Sequence, residues 1–442
     1  RGAFKQSDKI RKRQKLLTIQ TRPVSYRDLI GKNKNFKNLW FGQIVSLMGD
    51  WFNLIATAIL TANLTQSGLA VGGLFVIRSL AQFLTGPIGG MLADRFNRKW
   101  ILIWSDILRF FIVLGFLFVK DASQIWLLYT LTALQLGISG IFFPTKDAIL
   151  PDVVVENEIG TANALTSTTW SMMLALGAFL GGQVAGTWGI APAIILDAFS
   201  YLLSAYFIAK MAYTQTTTKV REPLTPKDVT KQYFQGINYL SKHKSIFILA
   251  VQKASLMLAV SGFNDVIQVE LSSKIFVVGE GGSTSLGWLY AIVGVGTGVS
   301  PIIARWVTGD RERALRHAIT VGYGITLIGL ILMYPISSLE MVMTGAFFRG
   351  FGIAIIWVFS TTLLLKKLPN EVRGRVFGTE FALLTLSGAI GAGLGGWFLD
   401  AFSFTLQNLI LLMGVLMFSF GVYWFINGVW AEKRKIISQN TI

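Results

Sequence analysis

The sequence feature that most restricts the fold is a series of long apolar stretches separated by short polar segments. A helix needs roughly 20 apolar residues to cross the hydrocarbon core of a bilayer, and twelve stretches meet that length. They lie at about 39–62, 69–92, 100–119, 124–146, 161–186, 189–210, 246–268, 285–307, 314–334, 338–365, 374–399 and 405–428. The sequence therefore predicts an all-α membrane protein with twelve transmembrane helices.

Composition agrees with this class and argues against several kinds of chemistry. Hydrophobic residues make up 52% of the chain and charged residues only 14%, whereas soluble domains carry roughly a quarter charged residues. There is no cysteine, and the two histidines, His243 and His317, lie in predicted loops. Thiol chemistry, a histidine metal site and acyl transfer are therefore not expected. No nucleotide-binding loop is visible, so we expect neither ATP nor another cofactor.

The positive charges predict an orientation. With the N-terminus in the cytoplasm, 34 of the 40 Lys and Arg residues lie on the cytoplasmic side and only Lys120 and Lys274 on the outer side. Such an excess is typical of cytoplasmic loops, so both termini are predicted in the cytoplasm, at the inner (plasma) membrane. The net charge of +17 then needs no nucleic-acid partner. The basic N-terminus has no short apolar core, so no cleavable signal peptide is expected.

The pattern divides the chain into five parts. They are a basic tail (1–37), a first six-helix bundle (38–210), a linker (211–245), a second six-helix bundle (246–428) and a C-terminal tail (429–442). The basic tail either only sets the topology or contacts anionic lipid headgroups.

The linker is polar, but four apolar residues recur in it at helical spacing: Val229, Tyr233, Ile237 and Leu240. This predicts an amphipathic helix. The helix either lies on the inner membrane surface or packs against the cytoplasmic ends of the bundle.

The two halves repeat each other. The segment LGAFLGG at 176–182 matches IGAGLGG at 390–396, an offset of 214 that also relates Pro87 to Pro301. Asp94 has a counterpart in Asp310 at nearly the same offset. Landmarks in register across two halves indicate a duplicated transporter with two pseudo-symmetric six-helix bundles.

One turn carries a specific signature. Residues 90–99 read GMLADRFNRK and lie between the second and third apolar stretches. This resembles the signature between helices 2 and 3 of the major facilitator superfamily. The segments FFPTKDAILP at 142–151 and RGRVF at 373–377 are similar to its drug:proton antiporter branch, which includes macrolide-efflux and enterobactin-exporter type proteins. The resemblance covers roughly residues 38–428.

The resemblance implies two bundles that rock about a central cavity, lined chiefly by spans one, four, seven and ten. These spans carry polar faces, which cannot face lipid cheaply, although small polar residues also serve helix packing. The predicted cavity residues are Gln43, Ser46, Asn53, Gln135, Ser139, Lys253, Met257, Asn264, Arg349 and Trp357.

Charged residues inside the spans are candidates for proton coupling, because an ionised group at mid-bilayer is usually paired or lines a wet cavity. We expect Asp50 and Arg78 to pair, or Asp50 to face the cavity and take up a proton. Asp106 and Arg109 are three residues apart and can meet on one helix face. A structural ion pair is favoured there over a coupling role.

A gating latch is predicted around the signature turn. Asp94 ends the second span, with Arg95 and Arg98 in the turn after it, and the start of span eleven with Arg373 and Arg375 should approach there. A carboxylate near a helix N-terminus gains roughly 0.3–1 kcal/mol. The family pattern implies that this contact holds the two halves in the outward-open state.

Together these features predict a monomeric secondary active exporter, working by alternating access with proton antiport, for a bulky amphipathic or hydrophobic small molecule. The alternatives are an exporter of a siderophore or lipid, an uptake symporter, and a sensor with a transporter fold. A membrane enzyme is not expected.

Overall fold

The computed structural model describes residues 24–213, 226–309 and 311–430, and the regular elements in these ranges are helices. They are α1 Tyr26–Lys32, α2 Lys34–Thr65, α3 Gly68–Arg95, α4 Arg98–Gly115, α5 Ile125–Val153, α6 Glu156–Thr187, α7 Ile190–Ala209, α8 Pro226–Lys242, α9 Lys244–Ile275, α10 Ser283–Thr308, α11 Glu312–Met333, α12 Leu339–Lys367, α13 Asn370–Ala401 and α14 Leu406–Trp430. All but α1 and α8 are long and apolar enough to span a membrane, which confirms the twelve predicted spans.

Several helices begin or end beyond their apolar stretch. Helix α2 starts at Lys34, where the Asn33 side chain accepts a hydrogen bond from the Phe36 amide (3.0 Å). Helix α5 continues beyond Lys146 to Val153. Polar end turns belong to the helix but not to the hydrophobic run, so hydropathy alone places these boundaries too far inside.

The spans form two six-helix bundles, as the internal repeat predicts. Helices α2 to α7 enclose one apolar core, with Ile59 and Tyr201 fully buried. Helices α9 to α14 enclose the other, with Phe359 and Trp424 buried. The bundles meet along two seams, where α3 packs against α13 and α6 packs against α10.

Parts of the predicted tail and linker are helical and pack on the bundles. In α1, Leu29 is buried, and nearby Thr161 donates a hydrogen bond to the Val24 carbonyl oxygen (2.7 Å). Helix α8 supplies the helix predicted in the linker. Its Leu240 is buried in the second core, whereas Phe234 is exposed, so its contacts favour packing on the bundle. Residues 1–23, 214–225 and 431–442 lie outside the described residues.

Candidate functional site: a cavity between the two bundles

A cavity of about 800 Å³ lies between the bundles. It opens at the end of the molecule where the α3–α4 turn carries Arg95, Arg98 and Lys99, here called the basic end. Its walls come from α2, α3, α5 and α6 of the first bundle and from α13 of the second.

The seam between α3 and α13 explains why the cavity opens on one side only. At the opposite end, a Cβ added to Gly72 would lie 2.5 Å from the carbonyl oxygen of Ala392, so the two backbones touch. At the basic end, a Cβ on Gly86 of α3 or Gly374 of α13 would meet no neighbouring atom within 4 Å. The two helices therefore diverge towards the basic end.

The seam between α6 and α10 has the same form. A Cβ on Gly182 would lie 2.6 Å from Cα of Gly287, and Thr284 donates a hydrogen bond to the Gly182 carbonyl oxygen (3.3 Å). Towards the basic end, Gly160 of α6 and Gly298 of α10 have open space around them. Both seams are thus closed at the opposite end and open at the basic end.

The cavity wall is mostly apolar but carries charges of both signs. Phe143, Trp170 and Phe381 provide aromatic surface. The charged lining residues are Asp94, Lys146, Asp147 and Arg375, with Lys146 Nζ 3.1 Å from an Asp147 carboxylate oxygen. Small-molecule sites typically combine apolar walls with a few polar groups that orient the ligand. The wall can therefore hold a ligand that has both apolar and polar parts.

The structure differs from the expected lining of this cavity. Of the predicted cavity residues, Gln43 lines it. Seven others are buried elsewhere, namely Ser46, Asn53, Gln135, Ser139, Lys253, Asn264 and Arg349, and Met257 and Trp357 are half-buried. The seventh and tenth spans, α9 and α12, do not line this cavity, because their polar residues take part in packed contacts between helices.

Those contacts tie three helices of the second bundle together. Lys253 of α9 forms a buried ion pair with Glu380 of α13 (3.2 Å), and its ammonium lies 5.0 Å from the centre of the Trp357 ring. With its amide oxygen turned to Arg349, Asn264 accepts hydrogen bonds from both guanidinium Nη atoms (3.2 and 3.1 Å). A direct role of these residues in substrate binding stays a prediction.

In the first bundle, Asp106 and Arg109 form the buried ion pair that their spacing predicts. The Arg109 guanidinium lies between the rings of Phe142 and Tyr201, at 4.4 and 4.3 Å from their centres. Its Nη1 also donates a hydrogen bond to Ser139 (3.3 Å). Within the described residues, Oδ2 of Asp106 is buried without a well-formed hydrogen bond, but the contacts around the guanidinium are typical of a structural ion pair.

Asp50 and Arg78 do not form the predicted ion pair. Asp50 instead accepts a hydrogen bond from the Tyr201 hydroxyl (2.6 Å), which in turn accepts one from the Gln135 amide (3.0 Å). Within the described residues, Nη1 of Arg78 is buried without a hydrogen-bond partner. Asp50 is half-buried and does not line the cavity.

Asp197 stands out among the buried carboxylates. Both of its oxygens are buried and lack a hydrogen-bond partner within the described part of the chain. It lies against α2, since a Cβ on Gly49 would come within 2.5 Å of its Oδ1. Asn53, also on α2, is buried, and its side chain interacts with the Asp197 carboxylate without forming a hydrogen bond of good geometry. In the same described ranges, no group of His, Asp and Glu side chains could hold a metal ion.

Sequence reasoning missed the tyrosines that serve the buried acids. Tyr201 bonds to Asp50, and Tyr290 donates a hydrogen bond to Asp265 (3.2 Å). A tyrosine counts as apolar in a hydropathy reading, so neither was visible in that pattern. Asp265 was also missed, although its position next to Asn264 in a polar step of α9 could have signalled it.

Arg98 holds the signature turn onto the first bundle. It forms an ion pair with Asp152 (2.7 Å) and lies 3.8 Å from Asp94. Asp152 also accepts a hydrogen bond from the Tyr213 hydroxyl (2.8 Å). Burial and this hydrogen bond raise the pKa of Tyr213, so the hydroxyl remains a neutral donor at physiological pH.

The predicted latch is not closed in this conformation. Asp94 and Arg375 both line the open mouth of the cavity. The Arg373 side chain donates hydrogen bonds to the Leu368 and Leu365 carbonyl oxygens (both 3.1 Å), and Arg95 is exposed. An open latch agrees with a mouth that is open at the basic end, and the latch role itself stays a prediction.

Comparisons with known proteins identify the family of this chain and several of its relatives. The sequence profile described as Major Facilitator Superfamily matches residues 39–315 and 281–440. The uncharacterized MFS-type transporter YfiS of Bacillus subtilis (strain 168) is 26% identical over 425 residues, covering 93% of this chain and 97% of its own. The putative bacilysin exporter BacE of Bacillus amyloliquefaciens is 25% identical over 365 residues, covering 81% and 88%. The multidrug resistance protein MdtH of Klebsiella pneumoniae (strain 342) is 26% identical over 344 residues, covering 76% and 79%.

A solved structure supports the same fold. The crystal structure of peptide transporter POT in complex with sulfate superposes with a TM-score of 0.70 at 13% identity, covering 93% of this chain and 97% of that one. At this identity the likeness concerns the fold alone. Since the profile matches nearly the whole chain outside the tails, this protein is a membrane transporter that belongs to the Major Facilitator Superfamily.

Proposed function

We propose that this transporter is a secondary active exporter that binds a bulky amphipathic or hydrophobic small molecule at the basic end and releases it at the opposite end. The observation that carries the proposal is the cavity of about 800 Å³, open at the basic end and closed at the other. Both seams are closed at the opposite end and open at the basic end. Rocking of one bundle against the other can therefore reverse the side on which the cavity opens.

The direction follows from the charges. Positively charged loops favour the cytoplasm, so the basic end is proposed to face it and the cavity to load from the cytoplasmic side. Two relatives point the same way, since one is described as a putative bacilysin exporter and another as a multidrug resistance protein.

Proton antiport is proposed from the balance of buried charges. Three carboxylates have a cation of their own, in the pairs Asp106–Arg109, Glu380–Lys253 and Glu270–Lys274. Away from the helix ends, the other carboxylates within the described spans are Asp50, Asp197 and Asp265, and the other guanidiniums are Arg78 and Arg349. One carboxylate therefore lacks a cation, and burying a bare charge is costly. A proton held by either Asp50 or Asp197, the two of these acids that lie in the first bundle, neutralises the excess.

Transport in inside-out vesicles tests the function. A panel of fluorescent amphipathic dyes, selected by thermal stabilisation of the purified protein, is added outside vesicles with an acidic interior. We expect dye uptake that depends on the protein and stops when a protonophore collapses the pH gradient. Uptake that continues without the gradient would count against antiport.

The same assay separates the alternatives. Transport restricted to labelled siderophores or lipids indicates an exporter of an endogenous compound. Flux in right-side-out vesicles, driven inward by protons, indicates a symporter. Binding without flux in either orientation indicates a sensor.

Orientation can be checked by labelling, because the chain contains no cysteine. In intact cells, Asp121→Cys at the opposite end should react with a membrane-impermeant maleimide, whereas Glu156→Cys at the basic end should not. Both positions are exposed, so accessibility depends on the side of the membrane alone. The reverse labelling pattern would place the basic end outside and remove the argument for export.

A further inference from the structure

The turn between α2 and α3 is held by two charged residues of the other bundle. The Asp400 carboxylate, at the end of α13, accepts hydrogen bonds from the Gly68 and Leu69 amides (both 3.0 Å) and from the Ser67 hydroxyl (2.5 Å). Lys274, at the end of α9, donates a hydrogen bond to the Gln66 carbonyl oxygen (3.3 Å). Residues 66–69 of the first bundle are therefore hydrogen-bonded by side chains of the second bundle.

Each charge meets the helix end that favours its sign. A helix N-terminus presents free amides and a partial positive charge, and a C-terminus presents free carbonyls and a partial negative charge. Asp400 lies at the N-terminus of α3, and Lys274 at the C-terminal cap of α2. Glu270 keeps Lys274 in place through an ion pair of 2.7 Å.

Close packing of the α3 and α13 backbones allows these hydrogen bonds. A Cβ on Gly68 would lie 2.9 Å from Leu399 Cδ1, and a Cβ on Gly396 would lie 2.3 Å from the Gly68 carbonyl oxygen. A larger residue at either position would separate the carboxylate from the amides that it binds. The contact therefore depends on the closed form of this end.

Helices α3 and α13 run in opposite directions, and each ends with an aspartate. Asp94 at the end of α3 faces the first turns of α13 across the open mouth, without contact. Asp400 at the end of α13 contacts the first turn of α3. We propose that Asp400 and Lys274 form a clamp that holds the opposite end closed, and that opening this end requires the clamp to break. This inference rests on the proposed alternating access.

The clamp can be tested without a transported substrate. In the cysteine-free chain, Ile59→Cys places a thiol that is fully buried beneath the closed end, next to Gly281. Its reaction rate with a soluble maleimide in lipid nanodiscs reports how often this end opens, even when the open form is rare. Asp400→Asn and Lys274→Gln should each raise this rate about two- to fivefold, as expected for the loss of one charge at a helix end.

Two further variants make the result decisive. Glu340→Gln removes another exposed carboxylate, in the first turn of α12 at the same end, and should leave the rate unchanged. Gly182→Val forces the other seam apart and should raise the rate strongly. If Gly182→Val raises it but Asp400→Asn and Lys274→Gln do not, the clamp is wrong while alternating access stands. If all three leave the rate unchanged, this end does not open, and the proposed transport mechanism fails together with the clamp.

Discussion

At the scale of single residues, the buried acids differ in what supports them. Asp106 has a buried guanidinium beside it, whereas Asp50 accepts its hydrogen bond from a neutral tyrosine hydroxyl. Breaking a buried ion pair leaves an uncompensated charge and costs about 3–5 kcal/mol. Replacing a carboxylate that is bound by a neutral donor removes charge but keeps an acceptor. Stability and proton coupling should therefore respond to different substitutions.

Asp50→Asn should abolish the response of transport to an imposed pH gradient, because the amide can still accept the Tyr201 hydrogen bond but cannot exchange a proton. The change in unfolding free energy should stay below about 1 kcal/mol. Flux in proteoliposomes and thermal unfolding measure the two effects.

Asp106→Asn is the matched control and should give the opposite pattern, a large loss of thermal stability through the stranded Arg109. Full proton-coupled flux in Asp50→Asn would show that Asp50 is not the coupling residue. The same substitution at Asp197 then shows whether the proton belongs to its neighbour.

Sequence spacing was sufficient to predict the partner of Asp106 but not the partner of Asp50. Asp106 and Arg109 are three residues apart on one helix, and local geometry brings them together. Asp50 and Tyr201 are separated by 151 residues, and their contact depends on how α2 packs against α7. The pairing of Asp50 with Arg78 looked plausible because neighbouring spans carry both residues, but the tyrosine hydroxyl already binds the carboxylate.

At the scale of elements, α13 connects the parts that the proposed rocking would move together. It lines the cavity through Arg375 and Phe381, pairs with α9 through Glu380, and supports the linker helix α8. A Cβ on Gly236 of α8 would lie 2.0 Å from Oγ1 of Thr379. The linker helix is thus fitted against the helix that forms one side of the mouth.

Gly236→Val should detach α8 from α13, because an overpacked contact costs about 1–3 kcal/mol. We expect faster proteolysis within the linker and a lower transport rate. Gly414→Val, at a position on α14 with no neighbouring atom within 4 Å, is the control. Equal proteolysis of both variants would show that α8 does not depend on this contact.

In helix α9, the side chains point in other directions than a regular helical period predicts. Its residues Met257–Ser261 form a π-helical turn, and the additional residue of such a turn rotates the rest of the helix by roughly 100° relative to a regular α-helix. Lys253 before it faces Glu380, and Asn264 after it faces Arg349. The sequence predicted a single polar face for this span, because a regular helical period places these residues on one side. That period cannot show the extra rotation at the π-helical turn.

At the scale of the whole molecule, the two seams account for the side on which the cavity opens. Both rely on close glycine contacts at the opposite end and on open space at the basic end. The duplication of the bundles was predictable, because landmarks such as Pro87 and Pro301 recur at a constant offset. The side on which the cavity opens was not predictable, since the two conformations of the proposed rocking motion would use the same helices and differ only in which helix ends touch.

Gly182→Val should shift the protein towards the form that is closed at the basic end, because a side chain there collides with the Gly287 backbone 2.6 Å away. Distances between spin labels at Glu156→Cys and Arg313→Cys, one on each bundle at the basic end, should shorten. Gly298→Val changes the same seam where a Cβ meets open space and should leave them unchanged. Longer distances in Gly182→Val would contradict the rocking motion.

In the proposed transport cycle, the volume of the cavity also fixes how much water is expelled when its mouth shuts. About 800 Å³ accommodates roughly two dozen water molecules at ~30 Å³ apiece, and these leave when the mouth shuts. A polymer that is too large to enter, added only on the side of the basic end, draws water out and so favours the form in which this mouth is shut. Interconversion should therefore respond to osmotic pressure even when no cargo is bound.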